Sequence, residues 1–187
     1  SMGEHSGTHI NAPVAFCRDV AGIDDYPVEA LVVAAVVVDI RTQSAANPDY
    51  ILSGEDISRW ENRNGQIPTD SVVLLHTGWQ DKWEDPVAYL NRDPSGGLHF
   101  PGFGGITTTM LLNQRGIRGV GTDAPGVDPG QDHNFGTNRQ VLDRQGIVLE
   151  SLTNLGQLPP RAVTLIIGAL RLHHGSGSPA AVTALVP

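Results

Sequence analysis

The chain is poor in cysteine. Cys17 stands alone in 187 residues, so no intrachain disulfide framework exists and the redox compartment stays open. A lone thiol of this kind is expected to be a small buried residue rather than a nucleophile. Basic charge is also scarce. Twelve Lys and Arg against 20 Asp and Glu give a net charge of −8, which argues against nucleic acid or an anionic membrane as the main partner. No apolar run reaches the roughly 20 residues needed to span a bilayer, and the longest, Ala30 to Val38, has the length of a buried strand. No Gly-x-Gly-x-x-Gly follows a strand pattern, which disfavours a Rossmann dinucleotide binder. There is no signal-peptide pattern, repeat or low-complexity tract, and a cytoplasmic location is expected. Ser1-Met2 reads as a cloning remnant, so the natural chain is expected to begin earlier.

What is present is a globular composition, 40% hydrophobic and 17% charged, and 22 Gly with 13 Pro predict short elements joined by many turns. One domain spanning residues 1–187 is expected. Val14 to Phe16 reads as extended. Ala30 to Ile40 reads as a strand buried on both faces, with Asp39 as a polar stop. After a loop over Ala45 to Tyr50, Ser53 opens a helix with Asp56 as capping-box partner. Ile57, Trp60 and Ile67 face the core, and Gly65 ends the helix. The strand Ser71 to His76 stops at a polar corner, Thr77-Gly78-Trp79. Ile106 to Gln114 reads as a helix with Ile106, Met110 and Leu111 on its core side and Gly116 as terminator. A strand from Ile117 to Thr122 ends at Asp123. A Pro-, Gly- and Asp-rich loop carrying His133 leads to a helix at Thr137 to Arg144. Ile147 to Leu149 then delivers Glu150, and strands at Arg161 to Leu170 and Ala180 to Val186 close the chain. Strands alternating with helices give an α/β class with a mixed sheet.

The chemistry concentrates in Glu4-His5-Ser6-Gly7-Thr8-His9-Ile10-Asn11-Ala12-Pro13. His5 and His9 are four residues apart, a spacing that brings two ring nitrogens to one ion if the backbone turns between them. On a flat strand they would stand roughly 13 Å apart. A turn at Ser6-Gly7-Thr8, with Gly7 supplying backbone freedom, followed by an extended segment carrying Asn11, is therefore expected.

These residues match a longer signature, His-x-Gly-Thr-His-x-Asp-x-Pro-x-His, as His5-Ser6-Gly7-Thr8-His9-Ile10-Asn11-Ala12-Pro13-Val14-Ala15. Leu75-His76-Thr77-Gly78-Trp79, Gly119-Val120-Gly121-Thr122-Asp123-Ala124-Pro125, Glu150-Ser151-Leu152-Thr153-Asn154-Leu155 with Leu158-Pro159, and Gly177-Ser178-Pro179 follow in order. The chain thus resembles the metal-dependent cyclase family, that of bacterial kynurenine formamidase, isatin hydrolase and related amide and lactone hydrolases. The resemblance implies a swivelling β/β/α-type fold, with a mixed sheet or partly closed barrel and flanking helices. It implies a homo-oligomer, dimer or tetramer, and one divalent metal, Zn or Mn. It places metal positions at His5, His9, Asn11, Asn138 and Glu150, and implies a further N-terminal segment ahead of the signature.

Three positions depart from the family pattern. Asn11 stands for Asp, Asn138 for His, and Ala15 for the general acid/base His. An amide oxygen is neutral and bridges two cations poorly, so a mononuclear site at most is expected, with His5, His9 and Glu150 the stronger ligands. The amide donor makes Mg conceivable beside Zn and Mn. Ala15 moves no proton, and candidates for the catalytic acid/base role are Glu150, His133 and His76, with His133 preferred because its loop lies between Asp123 and Asn138. Trp79, Thr77 and Asp123 are the candidate substrate-binding residues. The implied reaction is hydrolysis of a small amide, aryl formamide or lactone. The alternative is a catalytically degenerate relative that binds a small carboxylic ligand. The first alternative requires Glu150 to meet His5 and His9 in space.

Overall fold

A strand that is apolar on both faces needs a core on each side, and this chain builds two. The computed structural model describes residues 1–17 and 20–187. In chain order the strands are β1 (His9–Asn11), β2 (Val32–Asp39), β3 (Ile51–Leu52), β4 (Val72–His76), β5 (Gly102–Phe103), β6 (Gly119–Thr122), β7 (Ile147–Glu150), β8 (Val163–Ala169) and β9 (Gly177–Leu185). The helices are α1 (Arg41–Ala46), α2 (Gly54–Asn64), α3 (Pro86–Leu90), α4 (Gly105–Met110) and α5 (Gly136–Leu142). A wider π-type turn, Leu111–Arg115, extends α4.

Seven strands close into a barrel in the order β1-β7-β6-β4-β2-β8-β9, with β9 pairing back onto β1. β2, β4, β6 and β7 run parallel to their neighbours in that series. β1 and β8 pair antiparallel with both of their neighbours. β3 and β5 form a small parallel pair outside the barrel. The sheet is mixed, as its alternation with helices predicts.

Side chains alternate across each strand, and β4 shows why all its positions are buried. Val72 and Leu74 join Ile10, Val37, Ile147, Leu149 and Leu165 in one core. Val73 and Leu75 join Val36, Val38, Ile57, Trp60, Phe103, Leu111 and Val141 in a second core, beneath the helices. Helix α2 follows its sequence signals. Ser53 Oγ accepts from Asp56 N–H and Asp56 Oδ2 accepts from Ser53 N–H, at 3.2 and 2.9 Å. Gly65 leaves the helix at φ +82°, and Trp60 Nε1–H donates to Val37 O at 2.7 Å, tying α2 to β2.

Several local expectations are corrected. Val14 to Phe16 is not extended: Pro13–Ala15 forms a 3₁₀ turn, with the fixed φ of Pro13 at its first position. Arg41–Ala46 is a helix that reaches into the stretch read as loop. β2 is buried on both faces only in its second half, since Val32 and Ala34 are exposed. Ile106 is 90% exposed rather than core. Thr107 and Thr108 face inward instead, their hydroxyls bonded to Leu52 O and Thr137 Oγ1. Cys17 is half-buried. Among the described residues no helix is long and apolar enough to cross a membrane.

β6 and β7 approach so closely at Gly119 that a Cβ there would lie 2.1 Å from Ile147 O. Backbone cannot step aside at a paired strand. Gly119→Ala is expected to cost about 3 kcal/mol, read as a fall in the denaturation midpoint at unchanged slope.

Candidate active site

The site forms where β1 lies between β7 and β9. Gly7 turns the chain at φ +62°, and β1 then pairs antiparallel with β7 so that His9 stands opposite Glu150 and Asn11 opposite Val148. The turn brings the two imidazoles edge to face, ring centroids 5.2 Å apart. On the other side of β1, Asn11 faces Gly177. A Cβ on Gly177 would lie 2.8 Å from His5 Cε1, so this glycine makes room for the ring. The Gly177-Ser178-Pro179 stretch therefore seats the first histidine.

His9 Nδ1–H donates to Gly7 O at 2.8 Å, which leaves Nε2 as the free face of the ring. That nitrogen lies 3.1 Å from Glu150 Oε2, too poorly aligned for a hydrogen bond. It is the one buried side-chain nitrogen or oxygen without a hydrogen-bond partner among the described residues. Glu150 Oε1 is fixed by Val127 N–H at 3.0 Å and Asn138 Nδ2–H at 3.2 Å. Burial disfavours the charged form of both groups, but their pairing wins. The Glu150 carboxyl is held below its ordinary value and the His9 imidazole is raised above its own.

Asn138 sets the orientation of its neighbours. Its Nδ2 faces two carboxylates, Glu150 and Asp128, the latter at 2.8 Å. Carboxylates only accept, so the amide nitrogen must point there and the oxygen must point away. Asn138 Oδ1 accordingly accepts from Asn11 Nδ2 at 2.9 Å. This turns Asn11 Oδ1 toward His5 Nδ1, at 2.8 Å. His5 Nε2 lies 2.9 Å from Ser176 Oγ. The polar chain thus runs Asp128 and Glu150, Asn138, Asn11, His5, Ser176.

These groups open onto a cavity of about 570 Å³. Ala15, Phe16, Leu98, Phe100, Phe135 and Pro125 supply apolar wall, and Arg92, Asp132 and His133 are its further polar lining. His133 is exposed and reaches the cavity, as the preferred acid/base candidate must. His5, His9, Asn11, Asn138 and Glu150 all line it.

The other candidates lie elsewhere. His76 is buried at the end of β4, outside the cavity, with its ring against Gly156. Trp79 is buried too, its indole N–H donating to Tyr89 O at 2.8 Å and its ring packed on Phe100. Thr77 and Asp123 build the corner itself. The Asp123 carboxylate accepts from Thr77 N, Thr77 Oγ1 and Gly78 N at 2.7 to 2.8 Å. None of the four lines the cavity, and Asp123 instead lines a separate pocket with Trp83, Tyr89 and Ser151.

Sequence reasoning missed Asp128. It is buried, lines the cavity and accepts from Thr137 N, Asn138 N and Asn138 Nδ2, so it caps the start of α5. Burial lifts its carboxyl above the usual value. The signal was there in Gly126-Val127-Asp128-Pro129, an Asp ahead of a turn proline near a helix start.

No three His, Cys, Asp or Glu side chains gather into an ion-holding cluster among the described residues. His9 and Glu150 converge, while both nitrogens of His5 are engaged by Asn11 and Ser176.

Comparison with known proteins identifies the family. The profile of the family described as putative cyclase matches residues 1–129. The chain belongs to the cyclase family. It is 34% identical to the isatin hydrolase of Roseibium aggregatum over 194 residues, covering 100% of this chain and 73% of that protein. It is 28% identical to the kynurenine formamidase of Salinibacter ruber, over 95% of this chain and 74% of that one. The structure of isatin hydrolase A from Ralstonia solanacearum superposes with a TM-score of 0.96 at 34% identity, over 100% of this chain and 74% of that one.

Two measurements follow from these contacts. Asp128→Ala strands three buried donors and removes a helix cap, so unfolding free energy is expected to fall by about 2 kcal/mol. His99 fastens the loop 91–98 beside the cavity, its Nδ1 2.8 Å from Asp49 Oδ2 and its Nε2 3.3 Å from Asp93 Oδ2. Those carboxylates raise the imidazole above 6.5. The clamp is therefore at full strength below that pH and is lost as pH climbs through the raised value. Hydrogen exchange of 91–98, corrected for intrinsic rates, is expected to show protection that falls over this range. His99→Gln should abolish the dependence.

Proposed function

We propose that the chain is a metal-dependent hydrolase of a small aryl amide, aryl formamide or lactone. One observation carries this: a buried imidazole nitrogen with no hydrogen-bond partner faces a buried carboxylate at 3.1 Å, on the wall of a cavity large enough for an aryl substrate. That donor pair fits a divalent ion, and the fixed Nδ1 of His9 directs the other ring nitrogen to it, as in metal-ligating histidines. His9 and Glu150 would hold the ion, and His5 and Asn11, whose facing atoms bond each other, stand beside it. Asn138 serves as the brace that fixes Glu150 and Asn11. When bound, zinc or manganese supplies a Lewis acid that polarises a carbonyl and acidifies water.

The chain's own residues do the rest. Phe16, Phe100, Phe135 and Leu98 take up the aryl ring and exclude water from it. His133, at the cavity rim, takes a proton from the attacking water. It returns that proton to the nitrogen or oxygen that leaves as the carbonyl C–N or C–O bond breaks. Ala15 lines the cavity without contributing to this transfer. We further propose a homo-oligomer. Ile166 and Leu185, on the paired β8 and β9, are 41% and 54% exposed, which supplies an apolar face for a second copy.

The purified protein, incubated with zinc or manganese, is expected to bind one ion per chain and to hydrolyse formanilide or isatin. His9→Ala should lose the ion. His133→Ala should keep it while kcat falls by about 10²–10⁴-fold. Protein that stays metal-free and inert on both substrates overturns the hydrolase and leaves a binding role for the cavity.

A further inference from the structure

The hydrolase reading, on which this inference rests, leaves one charged group of the cavity unused. Arg92 is the one arginine or lysine among the described residues that line the cavity, in a chain of net charge −8. The acids around it are committed. Glu150 is held by His9, Val127 and Asn138; Asp128 accepts from Thr137 and Asn138; Asp132 accepts from Asn134 N and Gly136 N. Asp93, next to Arg92 in sequence, is spent on the loop. Its carboxylate takes Ser95 N, Ser95 Oγ and Gly97 N, and meets His99 Nε2. Arg92 therefore has a single bond, Nη1–H to Gly96 O at 3.2 Å, and no ion-pair partner among the described residues. A guanidinium carries five N–H donors, so four remain for something else.

The loop that carries Arg92 is stiff. Arg92 pairs with Leu98 in an antiparallel bridge. Asn91 O accepts from His99 N, and Gln131 Nε2 donates to Leu98 O. A surface arginine bonded only to its own loop is ordinary. An arginine carried on a braced loop at the rim of an aryl-sized cavity, whose neighbouring acids are all engaged, is suited to read an anion, because its fork geometry matches a carboxylate.

We propose that Arg92 is a specificity-determining residue: it holds a carboxylate carried by the substrate's aryl ring, away from the scissile bond. The preferred substrates are then aryl amides or lactones bearing a ring carboxylate.

The test compares para-formamidobenzoate with its neutral isostere para-formamidobenzamide. Wild type is expected to favour the carboxylate in kcat/KM by about tenfold, the value of one charge-assisted hydrogen bond, and the preference should shrink as salt is raised. Arg92→Ala should bring the ratio to about one, and Arg92→Lys should restore part of it. Arg63→Ala, in a separate cavity beside Trp60, should leave the ratio as in wild type. Titration calorimetry with para-acetamidobenzoate and para-acetamidobenzamide reads the same ratio without turnover. Absence of a carboxylate preference, or one that survives Arg92→Ala, overturns the assignment. Turnover without preference sinks Arg92 alone. An Arg92-dependent binding preference without turnover sinks the hydrolase reading and keeps Arg92 as an anion reader.

Discussion

The antiparallel pairing of β1 with β7 is the constraint on which the molecule depends. Three residue pairs, His9 with Glu150, Ile10 with Leu149 and Asn11 with Val148, do two jobs together. They close the barrel, because β1 is the strand that joins β7 to β9. They also set an imidazole beside a carboxylate. Strand register has a period of two, so a slip by one residue would turn His9 to the opposite face and leave the buried Glu150 without its imidazole partner. Ile10, fully buried on the other face, holds the register against that slip. Packing and chemistry are enforced by the same three residues.

Two of the three departures from the family pattern, Asn11 and Asn138, make physical sense as one unit. Asn138 and Asn11 donate and accept in series between two carboxylates and a histidine. A carboxylate at position 11 would meet the Asn138 oxygen rather than a donor, so the two amides fit each other. Such a fully satisfied polar network is rigid, and its members orient one another. Fixing Glu150 from two sides leaves its second oxygen as the one turned toward His9.

Much of this was legible in the sequence, for identifiable reasons. The His5 and His9 spacing with Gly7 between them forecast a turn, and Ser53, Asp56 and Gly65 wrote both ends of α2. Glu150 was legible because a short apolar run delivers it. Side-chain direction at strand ends was not. His76, Thr77 and Asp123 stand at strand ends just as Glu150 does, yet they lie outside the cavity, and nothing local distinguishes the two outcomes. Ile106 misled because periodicity counts apolar residues, whereas Thr107 and Thr108 found buried hydroxyl partners. Asp128 was hidden among the other loop acids, since its role depends on where α5 begins. The engagement of both His5 nitrogens arises from contacts with Asn11 and Ser176, the second far away in sequence.

The position of β1 between β7 and β9 also bears on how the protein is made. β1 has no barrel partner until residues near 150 and 177 exist. During synthesis the signature histidines on β1 wait, unpaired, until β7 and β9 have been made. The long-range closure is a slow step of the kind that high contact order imposes. A nascent chain that has not yet made β9 would hold the parallel strands and leave the barrel open, so the β9 side of the site is the last to close.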